Sequence, residues 1–138
     1  MKQTLKLYRD MQIDEDGYPK LGLNSKRLGV RIVGFNKVDG EPADTKMDEN
    51  GDVHPGKGMS VTPPDVRVNV KDFAVERIND GKTVMWEIDE AVLAPLNLKF
   101  VQDSDDHGCI EPAHKMPAQR YAMLIEGTKK LWRVSNDL

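Results

Sequence analysis

His107, Cys109 and His114 lie close together and are the first residues that could do chemistry. A structural or catalytic zinc site needs nitrogen and sulfur ligands at recurring spacings. His-x-Cys with a distant histidine matches none of these, and a fourth ligand would have to come from afar, so no metal is expected. A nucleophilic hydrolase needs Cys or Ser paired with His and an orienting acid. Cys109 and His107, at i and i+2 of a strand, share a face without having to touch. No serine sits in the glycine-flanked turn of a nucleophile elbow. Gly56-Lys57-Gly58-Met59-Ser60 resembles the tail of a phosphate loop but lacks its upstream strand and glycine. Arg9, Ser60 and His107 are different: Arg9 closes a strand, Ser60 opens a segment after a glycine, and His107 begins a third. Small β-rich enzymes place ligand contacts at such strand ends, although each residue taken singly reads as a solvated edge position.

The elements that must position these groups are mostly strands. Thr4-Leu5-Lys6-Leu7-Tyr8-Arg9 alternates polar and apolar residues, as a half-buried strand does. A turn follows at Asp14–Pro19, and Leu28–Val33 reads as a second strand. Asn36–Lys57 is polar and rich in Gly, Pro, Asp and Asn, which predicts a disordered surface loop. Phe73–Ile78 and Thr83–Ile88 flank Asp80-Gly81, a tight-hairpin signal. Leu98–Val101 and Cys109–Glu111 are shorter strands. A helix is predicted from Pro117 at its first position, with apolar residues recurring through Ala118, Tyr121, Ala122 and Ile125 to Leu131-Trp132. Lys129, Lys130 and Arg133 fall where they would favour the negative end of its dipole. The expected architecture is a single α+β domain over residues 1–138, with two packed, mainly antiparallel sheets and few helices, one of them C-terminal.

Composition narrows the function classes. The 138 residues are 38% hydrophobic and 31% charged, with 20 Lys and Arg against 23 Asp and Glu, a net charge of −3. That balance argues against a nucleic-acid partner, because such binding relies on basic patches. No apolar run is long enough to span a bilayer. The opening residues carry no signal core, since Lys2, Lys6 and Arg9 interrupt it. One cysteine, Cys109, excludes an internal disulfide and fits a reducing compartment. The expected setting is cytoplasmic.

Four blocks then resemble, in order, a known family. Leu7-Tyr8-Arg9 ends the opening strand as it does there, and Gly58-Met59-Ser60-Val61 resembles its glycine, small residue, serine, valine. Leu98-Lys99-Phe100-Val101-Gln102-Asp103-Ser104 resembles its Leu-Lys-Val-x-Gln-Asp-Ser block. His107, Ile110, Pro112, Ala113 and Met116 match its His-x-x-Ile-x-Pro-Ala-x-x-Met pattern. The chain is similar to small bacterial cytotoxins delivered by type VI secretion, whose fold resembles the catalytic domain of ADP-ribosyltransferase toxins. The last two blocks are the specific ones. Met59 stands where the family has threonine.

The resemblance implies NAD as substrate and no metal. Cleaving the nicotinamide–ribose bond builds positive charge on the ribose, as glycoside hydrolysis does. A site for this chemistry needs donors for the pyrophosphate, a frame for nicotinamide and ribose, and an acceptor near the developing cation. The resemblance assigns catalysis to Arg9, Ser60 and His107, and NAD binding to Tyr8, Arg9, Gly58, Met59, Ser60, Lys99 and Gln102. Arg9 and Lys99 would serve the phosphates, Ser60 the pocket frame, and His107 or Gln102 the ribose hydroxyls. No Glu-x-Glu motif supplies the customary acid, and the resemblance gives Glu111 no role. It further implies a cognate immunity protein, passage through the secretion machinery without a signal peptide, and a target in the recipient cytoplasm. The competing expectation is a non-enzymatic interaction module or accessory protein that uses the same fold for binding.

Overall fold

The computed structural model describes residues 5–24, 26–36, 40, 42–63, 83–105 and 107–135. Its opening strand, β1 (Lys6–Met11), pairs antiparallel with β6 (Val84–Asp89), which also carries the short β10 (Arg133–Val134). The second three-stranded sheet runs β5 (Met59–Val61), β8 (His107–Pro112), β7 (Leu98–Ser104), all antiparallel. Tyr8 and Thr62 stitch the two sheets through paired backbone hydrogen bonds of 3.0 and 2.8 Å. β1 is therefore an interior strand, and Leu7, Tyr8 and Arg9 are all buried. Alternation alone predicted one covered face; the bridge to Thr62 closes the edge of β1 that β6 leaves open.

β5 shows the period-two logic cleanly. Met59 and Val61 point into the core while Ser60 between them keeps partial exposure. Beneath both sheets lies one apolar cluster that includes Leu7, Ile32, Val53, Trp86, Ile110 and Trp132. Trp86 Nε1 donates to the Met11 carbonyl at 3.0 Å, so its polar edge is satisfied inside that cluster.

Three expectations change. Leu28–Val33 is buried through Ile32, but only Ile32–Val33 forms a strand, β2, which pairs in parallel with β3 (Thr45–Lys46). Side chains replace the ladder upstream: Asn36 accepts from the Ile32 amide and donates to the Val30 carbonyl, and Asp44 accepts from the Arg31 amide. Residues 42–57, expected as a disordered loop, hold β3, β4 (Asp52–Val53) and a turn. In that turn Asp48 accepts from the Asn50 and Asp52 amides. Val53 is fully buried, which supplies the anchor that the polar composition concealed. β4 pairs with β9 (Met116–Pro117).

The C-terminal helix, α1, spans Ala118–Glu126, with Pro117 as its cap rather than its first residue. It stops well before Leu131-Trp132. Thr128 Oγ1 donates to the Ile125 carbonyl and accepts from Trp132 Nε1, turning the chain so that Trp132 enters the core. Lys129 consequently pairs with Asp14 and Asp16, at 2.8 and 2.9 Å, instead of serving a helix end. The Asp80-Gly81 hairpin and its first strand, Phe73–Ile78, lie outside the described residues. No helix among the described residues is long and apolar enough to cross a membrane.

Candidate functional site

Three strands meet, with Arg9 and Ser60 inside β1 and β5 rather than at their ends and His107 opening β8. Arg9 is only 8% exposed, so the solvated edge position expected for it alone is overturned. Its Nη1 donates to the Ser60 carbonyl at 2.6 Å, and its Nη2 to the Arg27 carbonyl at 3.0 Å. Its Nε has no partner among the described residues. Desolvation lowers the guanidinium pKa, and the charges of Asp44 and Asp10 act in the opposite sense. Among the described residues no carboxylate forms an ion pair with it; Asp44 is spent on Arg31 at 3.3 Å. Arg9 is thus a buried cation held by carbonyl dipoles, with no carboxylate paired to it among the described residues.

Ser60 faces away from the core, and its hydroxyl lies 3.0 Å from His107 Nε2. The other ring nitrogen, Nδ1, lies 2.7 Å from Asp103 Oδ1. Asp103 belongs to the Gln102-Asp103-Ser104 block, yet the sequence reading gave it no role. A ladder irregularity between Gln102 and Ser104 brings its carboxylate back to His107. The one available signal was a spacing of four residues across a turn.

The remaining assigned residues lie elsewhere. Met59 is fully buried in the core, so its side chain does not frame Ser60's pocket. Lys99 pairs across the sheet with Glu111 and lines a separate depression of about 250 Å³ beside Glu90 and Ala94. Gln102 stands opposite Gly108, one step out of phase with the Ser60 row, and its Nε2 donates to the Ser104 carbonyl. Tyr8 is buried beside Arg9 in β1. Gly58 is a packing position: a Cβ there would overlap the Ile110 carbonyl and approach the Tyr121 hydroxyl to 2.6 Å. Glu111, 3% exposed, accepts from the Gly56 amide at 2.8 Å and holds the turn before β5.

Asp103, His107 and Cys109 are the one group among the described residues whose ligand atoms converge, all within 4.8 Å of one another. Both nitrogens of His107 are already within hydrogen-bonding distance of Asp103 and Ser60, and burial pushes the Cys109 thiol up to about 11, keeping it protonated. Their geometry is that of a hydrogen-bonded chain rather than a thiolate metal centre.

Short, mainly antiparallel sheets with few helices, one of them C-terminal, are consistent with an ADP-ribosyltransferase-like fold. The chain belongs to the Tse2 ADP-ribosyltransferase toxin family, whose model matches residues 5–132. No curated protein and no solved structure matches it. The family implies a toxin that uses NAD as substrate.

Proposed function

We propose that the protein is an intracellular antibacterial toxin, one domain that binds NAD at Arg9, Ser60 and His107 and transfers its ADP-ribosyl group. The observation that carries this reading is Arg9: a buried cation without a carboxylate partner among the described residues, bonded to the strand whose hydroxyl meets His107. Arg9 lends positive charge behind the Ser60 strand, which favours an anionic pyrophosphate, and Ser60 and His107 supply polar groups for the ribose. The toxin is delivered by type VI secretion, acts in the recipient cytoplasm, and is neutralised in the producer by an immunity protein that covers the cleft around Ser60 and His107.

Calorimetric titration of NAD into the purified protein tests the site, with Ser60→Ala and His107→Ala as comparators. The expected outcome is saturable binding by the wild type that both substitutions weaken, together with nicotinamide release. Toxicity that persists in both variants without NAD binding would support the interaction-module reading instead.

A further inference from the structure

The unassigned residue at this site is Asp103. Its Oδ1 lies 2.7 Å from His107 Nδ1, and His107 Nε2 lies 3.0 Å from Ser60 Oγ. An ionised carboxylate only accepts hydrogen bonds, so the contact with Asp103 places the proton of neutral His107 on Nδ1. Nε2 is then the bare nitrogen, and the Ser60 hydroxyl donates to it. Ser60 itself is fixed from behind, because Arg9 holds its carbonyl at 2.6 Å. The order along the chain is therefore carboxylate, imidazole, hydroxyl, with each link oriented by the one before it.

We propose that Asp103 is a positioning residue and that Asp103, His107 and Ser60 form a proton relay that accepts the proton of the incoming ADP-ribose acceptor. The inference rests on the NAD reading above. In the transfer step, the acceptor's oxygen or nitrogen forms a bond to the ribose carbon that carried nicotinamide. The bond from that carbon to the nicotinamide ring breaks, and its electron pair leaves with neutral nicotinamide. The acceptor's proton passes to Ser60 Oγ as the Ser60 proton passes to His107 Nε2, and the imidazolium formed is paired with Asp103. Atoms and charge balance: the positive charge of the nicotinamide ring is exchanged for one on His107.

The relay also specifies an acceptor class. A carboxylate or thiolate acceptor arrives without a proton and has no use for a base, whereas a hydroxyl group or water must lose one. The site thus suits an acceptor that arrives with a proton to lose: a hydroxyl group, water or an N–H group. Glu111, the other carboxylate on this strand face, is buried and bonded to the Gly56 amide. It is not available for the task. Among the described residues, Asp103 and Cys109 each place a ligand atom within 4.8 Å of His107, and burial keeps the thiol protonated near neutral pH.

Two measurements on the full chain test this. Nitrogen-15 NMR of the imidazole reads the His107 tautomer directly, in wild type, Asp103→Asn and Asp103→Ala. The expected result is an Nδ1–H tautomer in wild type that is no longer fixed in Asp103→Asn, whose amide can donate to Nδ1 as well as accept from it. Asp103→Ala loses that tautomer. Nicotinamide release against pH is the second reading, with an expected loss of about 10²–10⁴-fold in Asp103→Ala. An Nε2–H tautomer in wild type, or a rate of nicotinamide release unchanged by both substitutions, would overturn the relay. Wild-type protein that neither binds nor cleaves NAD would overturn the proposed reaction, while the tautomer measurement still decides whether Asp103 positions His107.

Discussion

Ser60 and His107 are 47 residues apart in sequence and hydrogen-bonded at 3.0 Å, although the β5–β8 register sets Ser60 opposite Cys109. Their meeting is a diagonal one. His107 lies two residues before Cys109 on the same face of β8, within reach of a side chain on the neighbouring strand. A shift of either strand by one residue would send Ser60 into the core and Met59 toward His107. The register, fixed by burial of Met59, Val61 and Ile110, is what makes the contact.

Substitution of that pair should separate function from folding. Ser60→Ala and His107→Ala remove partly exposed polar atoms and few core contacts, so each should cost about 1 kcal/mol or less of stability. Expression of the wild type in a bacterial cytoplasm should arrest growth, and both variants should relieve the arrest at unchanged soluble yield. Wild type that cells tolerate at high level without a partner would refute the toxin reading.

Arg9 behaves differently, because it is structural as well as chemical. Arg9→Lys keeps the charge but cannot bridge the Ser60 and Arg27 carbonyls with a planar fork. The expected loss is about 1–3 kcal/mol in chemical denaturation, from buried carbonyls left short of a donor. NAD affinity should fall as well, by about 1.5–3 kcal/mol for Arg9→Ala at a temperature where that variant stays folded. An unchanged denaturation midpoint in Arg9→Lys would show that the fork bears no load.

Gly58 tests the packing behind the site. The Tyr121 hydroxyl donates to the Ile110 carbonyl at 2.5 Å and accepts from the Met59 amide at 3.1 Å, filling the space a Cβ would need. Burial raises the pKa of that phenol, which keeps it a donor. Gly58→Ala should destabilise by about 1–3 kcal/mol, the range for overpacking, measured by the denaturant midpoint. Full stability with native spectra would mean that β5 can move away from α1 at little cost.

Cys109 supplies a prediction about pH. Its thiol is raised, chiefly by desolvation, from 9.0 to about 11. A folded value above the unfolded one means that this contribution to stability is complete below about pH 9 and is lost as pH rises toward 11. Wild type should therefore lose stability relative to Cys109→Val over that window. Alkylation near neutral pH should be roughly a hundredfold slower in the folded chain than in urea, from thiolate fraction alone. Equal rates in the two states would contradict a buried, protonated thiol.

The residue pattern by itself determined the strands that matter most. Alternation in Thr4–Arg9 reflects a local rule, successive side chains on opposite faces, and the strand-forming runs at Thr83–Ile88 and Leu98–Val101 were likewise legible without tertiary information. The spaced apolar residues of Ala118–Ile125 likewise disclosed the helix, because one stripe must meet the core. The four motif blocks pointed to Arg9, Ser60 and His107. What the sequence withheld was whatever depends on distant partners. Arg9 looked like a solvated edge residue until the Tyr8–Thr62 bridge closed the second side of β1. Residues 42–57 looked like loose chain because their order comes from side-chain hydrogen bonds and one buried valine rather than from periodicity. Asp103 reaches His107 only through an irregularity in the β7–β8 ladder, and the helix stops early because Trp132 is drawn inward while Lys129 finds Asp14 and Asp16. Periodicity is written in neighbouring residues, whereas burial, register slips and long-range hydrogen bonds are set by which surfaces meet once the chain has folded.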